Sequence, residues 1–132
     1  MTTGSAESAL QAAFKLLSRR DFTEVGLTDR LRGKGHAPSD AHAAVARCVE
    51  LGYVDDHTFG RSRASTVLER KPCGRRGLLQ DLRRQGLDST MAEQVADEAY
   101  AELGGEAAVL RSALRRWIDR HGEPAGWREA KR

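Results

Sequence analysis

A chain of 132 residues and 14.5 kDa is long enough to bury a genuine core and falls in the usual range for one domain. Hydrophobic residues make up 39%, charged residues 31% and aromatics only 5%, with a net charge of +3, so the surface is heavily charged and the core economical. No apolar run is long enough to span a bilayer, the N-terminal residues lack the pattern of a signal peptide, and two cysteines make no disulfide framework, so the expectation is a cytoplasmic protein.

Almost every segment carries helical periodicity, and none alternates as a strand does. Leu10, Ala13, Phe14 and Leu17 fall at i, i+3, i+4 and i+7, predicting a helix from about Ser5 to Arg20. Thr23 is placed to cap a second helix with Leu27 and Leu31 inward, stopping at Gly35. Ser39 is the expected cap of a third, which turns Ala41, Val45, Cys48 and Val49 inward and stops at Gly52. Asp55 reads as the N-cap of a fourth, led by Phe59 and running to about Arg70, where Pro72 and Gly74 break it. A fifth carries Leu78, Leu79 and Leu82 to Gly86. A sixth, after Ser89, sets Val95, Ala99 and Leu103 on one side and ends at Gly104-Gly105. The seventh runs from Glu106 to Gly122 with Leu110, Leu114, Trp117 and Ile118 inward; Trp127 follows in a polar tail. Helices of this length joined by short loops predict an all-α fold.

The chain repeats itself. Leu27-x-x-x-Leu31-x-x-x-Gly35 matches Leu78-x-x-x-Leu82-x-x-x-Gly86 at an offset of 51, and Val45 matches Val95 at an offset of 50. A period near 50 signals an array whose units bury their faces against neighbours. The expected arrangement is an elongated, curved array of three-helix units within one domain, 1–132. Unit one covers about 5–53 and unit two about 54–104, with a third, incomplete unit over about 105–132.

No catalytic constellation is present. His36, His42, His57 and His121 form no ligand spacing with the cysteines, Gly33-Lys34-Gly35 lacks the remaining positions of a phosphate loop, and Asp55-Asp56 suits helix capping better than metal binding. No cofactor is expected, and enzymatic activity is not. Cys48 reads as core. Cys73, beside Lys71 and Arg75, has basic neighbours that would favour its thiolate, but it reads first as an ordinary loop cysteine and only second as a redox sensor.

Charge is unevenly spread. Residues 61–84 hold eight basic side chains and two acids, whereas residues 85–110 hold six acids and no base. Arg75, Arg76, Arg83 and Arg84 bracket one short helix, and Arg76 and Arg83, seven apart, share a face. Such a face suits a phosphate backbone or an acidic protein groove. The acidic helix that follows would repel nucleic acid, which favours a protein partner of mixed charge.

Four stretches together resemble the RecX family, bacterial regulators of the RecA recombinase. They are Leu16-Leu17-Ser18-Arg19-Arg20-Asp21-Phe22-Thr23, Leu27-x-x-x-Leu31-x-x-x-Gly35, Gly52-Tyr53-Val54-Asp55-Asp56-x-x-Phe59 and Gly74-x-x-x-Leu78-x-x-x-Leu82-x-x-x-Gly86. They lie within about residues 9–103 in the family's order, and the Gly-Tyr-Val-Asp-Asp-x-x-Phe element is the most specific. The resemblance implies three tandem three-helix units and a non-enzymatic modulator. Such a protein lodges in the groove of the recombinase–single-stranded DNA–ATP filament and suppresses its ATPase, strand-exchange and co-protease activities, so restraining recombination and the SOS response.

Carried over, Gly52 ends helix three, Tyr53 and Phe59 fix the junction between units, and Asp55 starts helix four. Arg75, Arg76, Arg83 and Arg84 are the candidate contacts to filament or DNA, on the ground of charge alone. The expected partner is the RecA filament, with weak binding to single-stranded DNA by itself, and the expected state is a monomer. Two departures from the family pattern stand out: Gly26 replaces a glutamate three residues after the Thr23 cap, and the third unit is incomplete. The alternative reading is a sequence-independent helical module acting on DNA alone, which predicts a steep salt dependence. A helix-turn-helix transcription factor is weaker, because Val45–Val49 offers no base-reading residues.

Overall fold

The computed structural model describes residues 5–125. It contains α1 (Ser5–Leu17), α2 (Glu24–Gly33), α3 (Pro38–Glu50), α4 (Asp56–Arg70), α5 (Arg75–Arg84), α6 (Ser89–Glu102) and α7 (Glu106–His121). No strand occurs among the described residues. The fold is all-α, as periodicity predicts. Trp127 lies outside the described residues.

Helix starts follow local chemistry, with two adjustments. Thr23 accepts from the Gly26 N–H at 3.0 Å, and Asp55 from the Thr58 N–H at 3.1 Å. Ser39 does not cap α3. Ala37 holds the cap position without a side-chain bond, because Pro38 starts the helix one residue earlier with a preset φ and no N–H to satisfy. At α6 the cap is Asp88, which accepts from Met91 N–H at 2.8 Å. At the other end, α1 stops at Leu17 and not Arg20: the Ser18 hydroxyl donates to the Lys15 carbonyl at 2.7 Å and competes with the helical ladder.

Buried side chains gather in two clusters. One is built by α1, α2 and α3 around Leu27, Leu31, Val45 and Cys48; the other by α4, α5 and α6 around Leu78, Leu82 and Val95. The buried stripe of α1 is Ala9, Ala13 and Leu16, rotated from the predicted one; Leu10 and Leu17 are half-buried and Phe14 is exposed. Small residues win here because Ala9 and Ala13 let α1 come close to Ala41 and Ala44 of α3. In the second cluster Gly60 plays the same part: a Cβ there would stand 2.6 Å from Leu87 Cδ2 and 3.0 Å from Val95 Cγ2.

Five further expected core assignments are corrected. Val49 and Leu103 are exposed, each lying at the end of its helix and past the edge of the core. On α7 only Val109 is buried; Leu110, Leu114 and Trp117 face outward, Trp117 with 47% of its surface exposed. Helix α7 packs on the second cluster by its first turns, and Trp117 stacks on His121 at 4.6 Å between ring centroids.

Candidate functional site

Helix α5 turns Leu78 and Leu82 into the core, which leaves its arginines on the outside. The four candidates do not behave alike. Arg75 is engaged internally: its guanidinium pairs with Asp97 of α6, and its N–H donates to Glu106 Oε2 of α7 at 2.6 Å. It fixes α5 to its neighbours. Arg76, Arg83 and Arg84 are exposed and make no ion pair among the described residues. Arg76 and Arg83 are two turns apart on α5, about 10 Å along the axis.

Asp81, the one acid on this helix, makes no ion pair with them, although the charge of Arg84 acts on it through space and helps keep it ionised. Arg63 of α4 holds it with two bonds of 2.8 Å, a fork geometry that lowers the Asp81 carboxyl below its ordinary value of 3.8. The pair therefore stabilises the fold above that range, and the benefit is lost as pH falls through the lowered value. Asp81→Asn is expected to flatten the acid limb of stability by about 1 kcal/mol, read from urea midpoints between pH 7 and pH 3.

Beyond Arg84, the end of α5 meets the start of α2. The Thr23 hydroxyl, buried, donates to the Gln85 carbonyl at 2.9 Å while accepting from Gly26 N–H. Beside it, the Glu24 N–H donates to Asp56 Oδ1 at 2.8 Å. Asp55 and Asp56 thus serve two helices: Asp55 caps its own, and Asp56 caps α2 across the junction. Burial pushes the Asp56 carboxyl up, against the Glu24 bond that favours its ionised form.

The same contact recurs one period later. Glu106 opens α7 and caps Arg75, the first residue of α5, just as Asp56 opens α4 and caps Glu24, the first of α2. Asp56→Ala is expected to cost about 1 kcal/mol by orphaning that N–H, and Asp56→Asn much less, because the amide oxygen still accepts; urea unfolding distinguishes them.

Comparison with known proteins bears on this arrangement. The family model "RecX, first three-helix domain" matches residues 9–48. A regulatory protein RecX of Syntrophotalea carbinolica is 32% identical over 108 residues, which are 82% of this chain and 70% of that protein. The chain belongs to the RecX family. Further relatives, both regulatory proteins RecX, come from Pelodictyon phaeoclathratiforme (30% identical, 86% of this chain and 68% of the relative) and Halorhodospira halophila (30%, 97% and 76%). No solved structure matches the chain.

The RecX motif Gly52-Tyr53-Val54-Asp55-Asp56-x-x-Phe59 divides its residues among distinct places. Gly52 follows the end of α3, Val54 is buried in the first cluster and Phe59 packs on the second. Tyr53 does not reach the junction. It is 58% exposed and meets Phe14 edge to face, with ring centroids 5.8 Å apart. Position 53 directly follows the turn of Gly52 and so points away from the core that Val54 enters.

Cys73 is placed as the ordinary loop cysteine expected of it, and its basic neighbours do not favour a thiolate. Burial pushes its thiol up and Asp81 and Glu106 add to the shift, while the guanidinium of Arg75 is turned to Asp97. Its carbonyl accepts from the Tyr100 hydroxyl at 2.7 Å; burial holds that phenol at about 12, so it remains a donor. Among the described residues no group of three His, Cys, Asp or Glu side chains is placed to hold a metal ion, and no helix is long and apolar enough to cross a membrane. Sequence reasoning missed the capping roles of Asp56 and Glu106. The only signal was an acid at the first position of each following helix.

Proposed function

We propose that this chain is a non-enzymatic, monomeric cytoplasmic regulator that binds the filament RecA forms on single-stranded DNA. There it inhibits ATP hydrolysis, strand exchange and co-protease activity, and so modulates recombination, DNA repair and the SOS response. Membership of the RecX family supports the partner. The observation that carries the contact surface is the set Arg76, Arg83 and Arg84, three exposed charges that the protein's own acids leave unpaired among the described residues. The Thr23–Gln85 bond holds the end of α5 against the start of α2, so the charges meet a partner pre-arranged. Inhibition by such a surface is steric and electrostatic: a protein seated in the groove blocks filament growth or entry of a second DNA.

Co-sedimentation tests the reading. The protein is expected to pellet with RecA assembled on single-stranded DNA with a non-hydrolysable ATP analogue, and to do so far more than with bare DNA or free RecA. Equal pelleting with bare DNA would favour the module that acts on DNA alone.

A further inference from the structure

On α7 the exposed apolar side chains fall on one line. Ala107, Leu110, Leu114, Trp117 and His121 follow one another at intervals of three, four, three and four residues, the a and d positions of a heptad pattern. All five are exposed, Leu110 and Leu114 to 41% and 42%. On α1 and α4 the matching positions, Ala9 with Ala13 and Gly60 with Ala64, are buried and small, which lets another helix of the same unit come close. Leu110 and Leu114 are too large for that approach. They suit a helix at the ordinary packing distance of about 8–10 Å. The first turns of α7 are fixed on the second cluster through Val109, so the line is presented on an anchored helix.

The flank of this line is complementary to itself. The g positions, each just before an a residue, are Glu106, Ala113 and Arg120, and charges at such positions set the orientation of paired helices. When a second copy of α7 lies antiparallel, with Ala113 opposite its counterpart, Glu106 of each copy faces Arg120 of the other. The same register sets Leu110 against Leu114 and the bulky Trp117 against the small Ala107. Arg111, on the opposite flank, then meets the apolar Ile118 and no other arginine. Both charges are available: Arg120 makes no ion pair among the described residues, and Glu106 uses only Oε2 on the Arg75 N–H. A parallel pairing would crowd Trp117 against its counterpart and set like ends of the two helix dipoles together.

We infer that the seam Ala107, Leu110, Leu114 and Trp117 is a self-association surface whose partner is α7 of a second copy of this chain, packed antiparallel about a two-fold axis near Ala113. The helix has 16 residues and is about 24 Å long, so the pair falls short of the about 1,200 Å² that stable interfaces bury. Pairing is therefore weak and depends on concentration. At low concentration the protein is the monomer of the recombinase reading, and the inference does not rest on that reading.

The test is sedimentation velocity of the full chain, without recombinase, from about 2 μM to about 200 μM. Wild-type protein is expected to pass from monomer towards dimer over this range, with a Kd on the order of 10–100 μM. Leu114→Glu, at the middle of the seam, should stay monomeric throughout. Arg120→Glu should raise the Kd about tenfold, because it turns two attractions with Glu106 into two repulsions. Arg111→Glu, with the apolar Ile118 of the second copy opposite, should not weaken pairing. Circular dichroism checks that each variant stays helical, as substitutions at exposed positions should. Wild-type protein that is monomeric at every concentration would overturn the inference and leave the seam to a helix of another protein. A dimer that survives Leu114→Glu would overturn it by placing the contact on another face. Weakening by Arg111→Glu but not by Arg120→Glu would make the pairing parallel, with Glu106 facing Arg111, and so overturn the antiparallel register.

Discussion

Reversing Arg76, Arg83 and Arg84 together to glutamate is expected to weaken binding to the RecA–single-stranded DNA filament by about a hundredfold or more. Each exposed charge contact contributes on the order of 1 kcal/mol, and three of them amount to about two decades in affinity. The protein itself should tolerate the change. All three side chains are exposed and lack an ion pair among the described residues. Arg75 is left in place because it pairs with Asp97 and its N–H is capped by Glu106; reversing it would confound binding with folding. Biolayer measurements on immobilised filaments give the affinity, and thermal melting confirms an intact fold. Unchanged affinity in a folded triple variant would remove this face from the mechanism.

The second large effect is expected at Gly86. Its φ is +109°, and a Cβ there would sit 2.5 Å from Thr23 Oγ1, the atom that joins α2 to the end of α5. Gly86→Ala therefore carries two costs, backbone strain of about 1–2 kcal/mol and overpacking of about 1–3 kcal/mol. About 3 kcal/mol in all is expected from urea unfolding. Gly35 supplies the control: its φ is +99° and it stands in open space, so Gly35→Ala should show the strain alone. Equal losses at the two positions would mean that α5 and α2 do not meet tightly. Because no basic side chain is altered, a loss of filament inhibition in Gly86→Ala at a temperature where it remains folded would show that the relative placement of α2 and α5 matters.

Much of the fold was legible in the sequence, because it is set by short-range chemistry. Thr23 and Asp55 are caps whose bonds reach three residues ahead, and Leu27, Leu31, Leu78 and Leu82 sit at intervals that only a helix turns to one side. Residues whose role depends on how helices approach each other were not legible. Phe14 looks like core by hydrophobicity, yet close packing against Ala41 and Ala44 selects Ala9 and Ala13 in its stead. Asp55 and Asp56 are chemically equal neighbours, and only the position of α2 makes the second of them a cap for Glu24. On α7, Leu110, Leu114 and Trp117 follow a core-like period but remain exposed, since a period identifies an apolar face and not what covers it.

The candidate site divides in the same way. Counting charges found the arginine-rich segment, but not which arginines the protein uses itself. Arg61 pairs with Glu98 and Glu102, Arg63 with Asp81, and Arg75 with Asp97. The acids of α6 that seemed to repel nucleic acid are in part the partners of these arginines. What remains exposed on α5 is smaller and more sharply placed than the sequence suggests.

The central claim, regulation of the RecA filament, is tested most directly by RecA ATP hydrolysis on single-stranded DNA as this protein is titrated. Inhibition complete well below one molecule per RecA protomer is expected, as a protein seated in the filament groove would give. Undiminished hydrolysis at a molar excess of folded protein would contradict it.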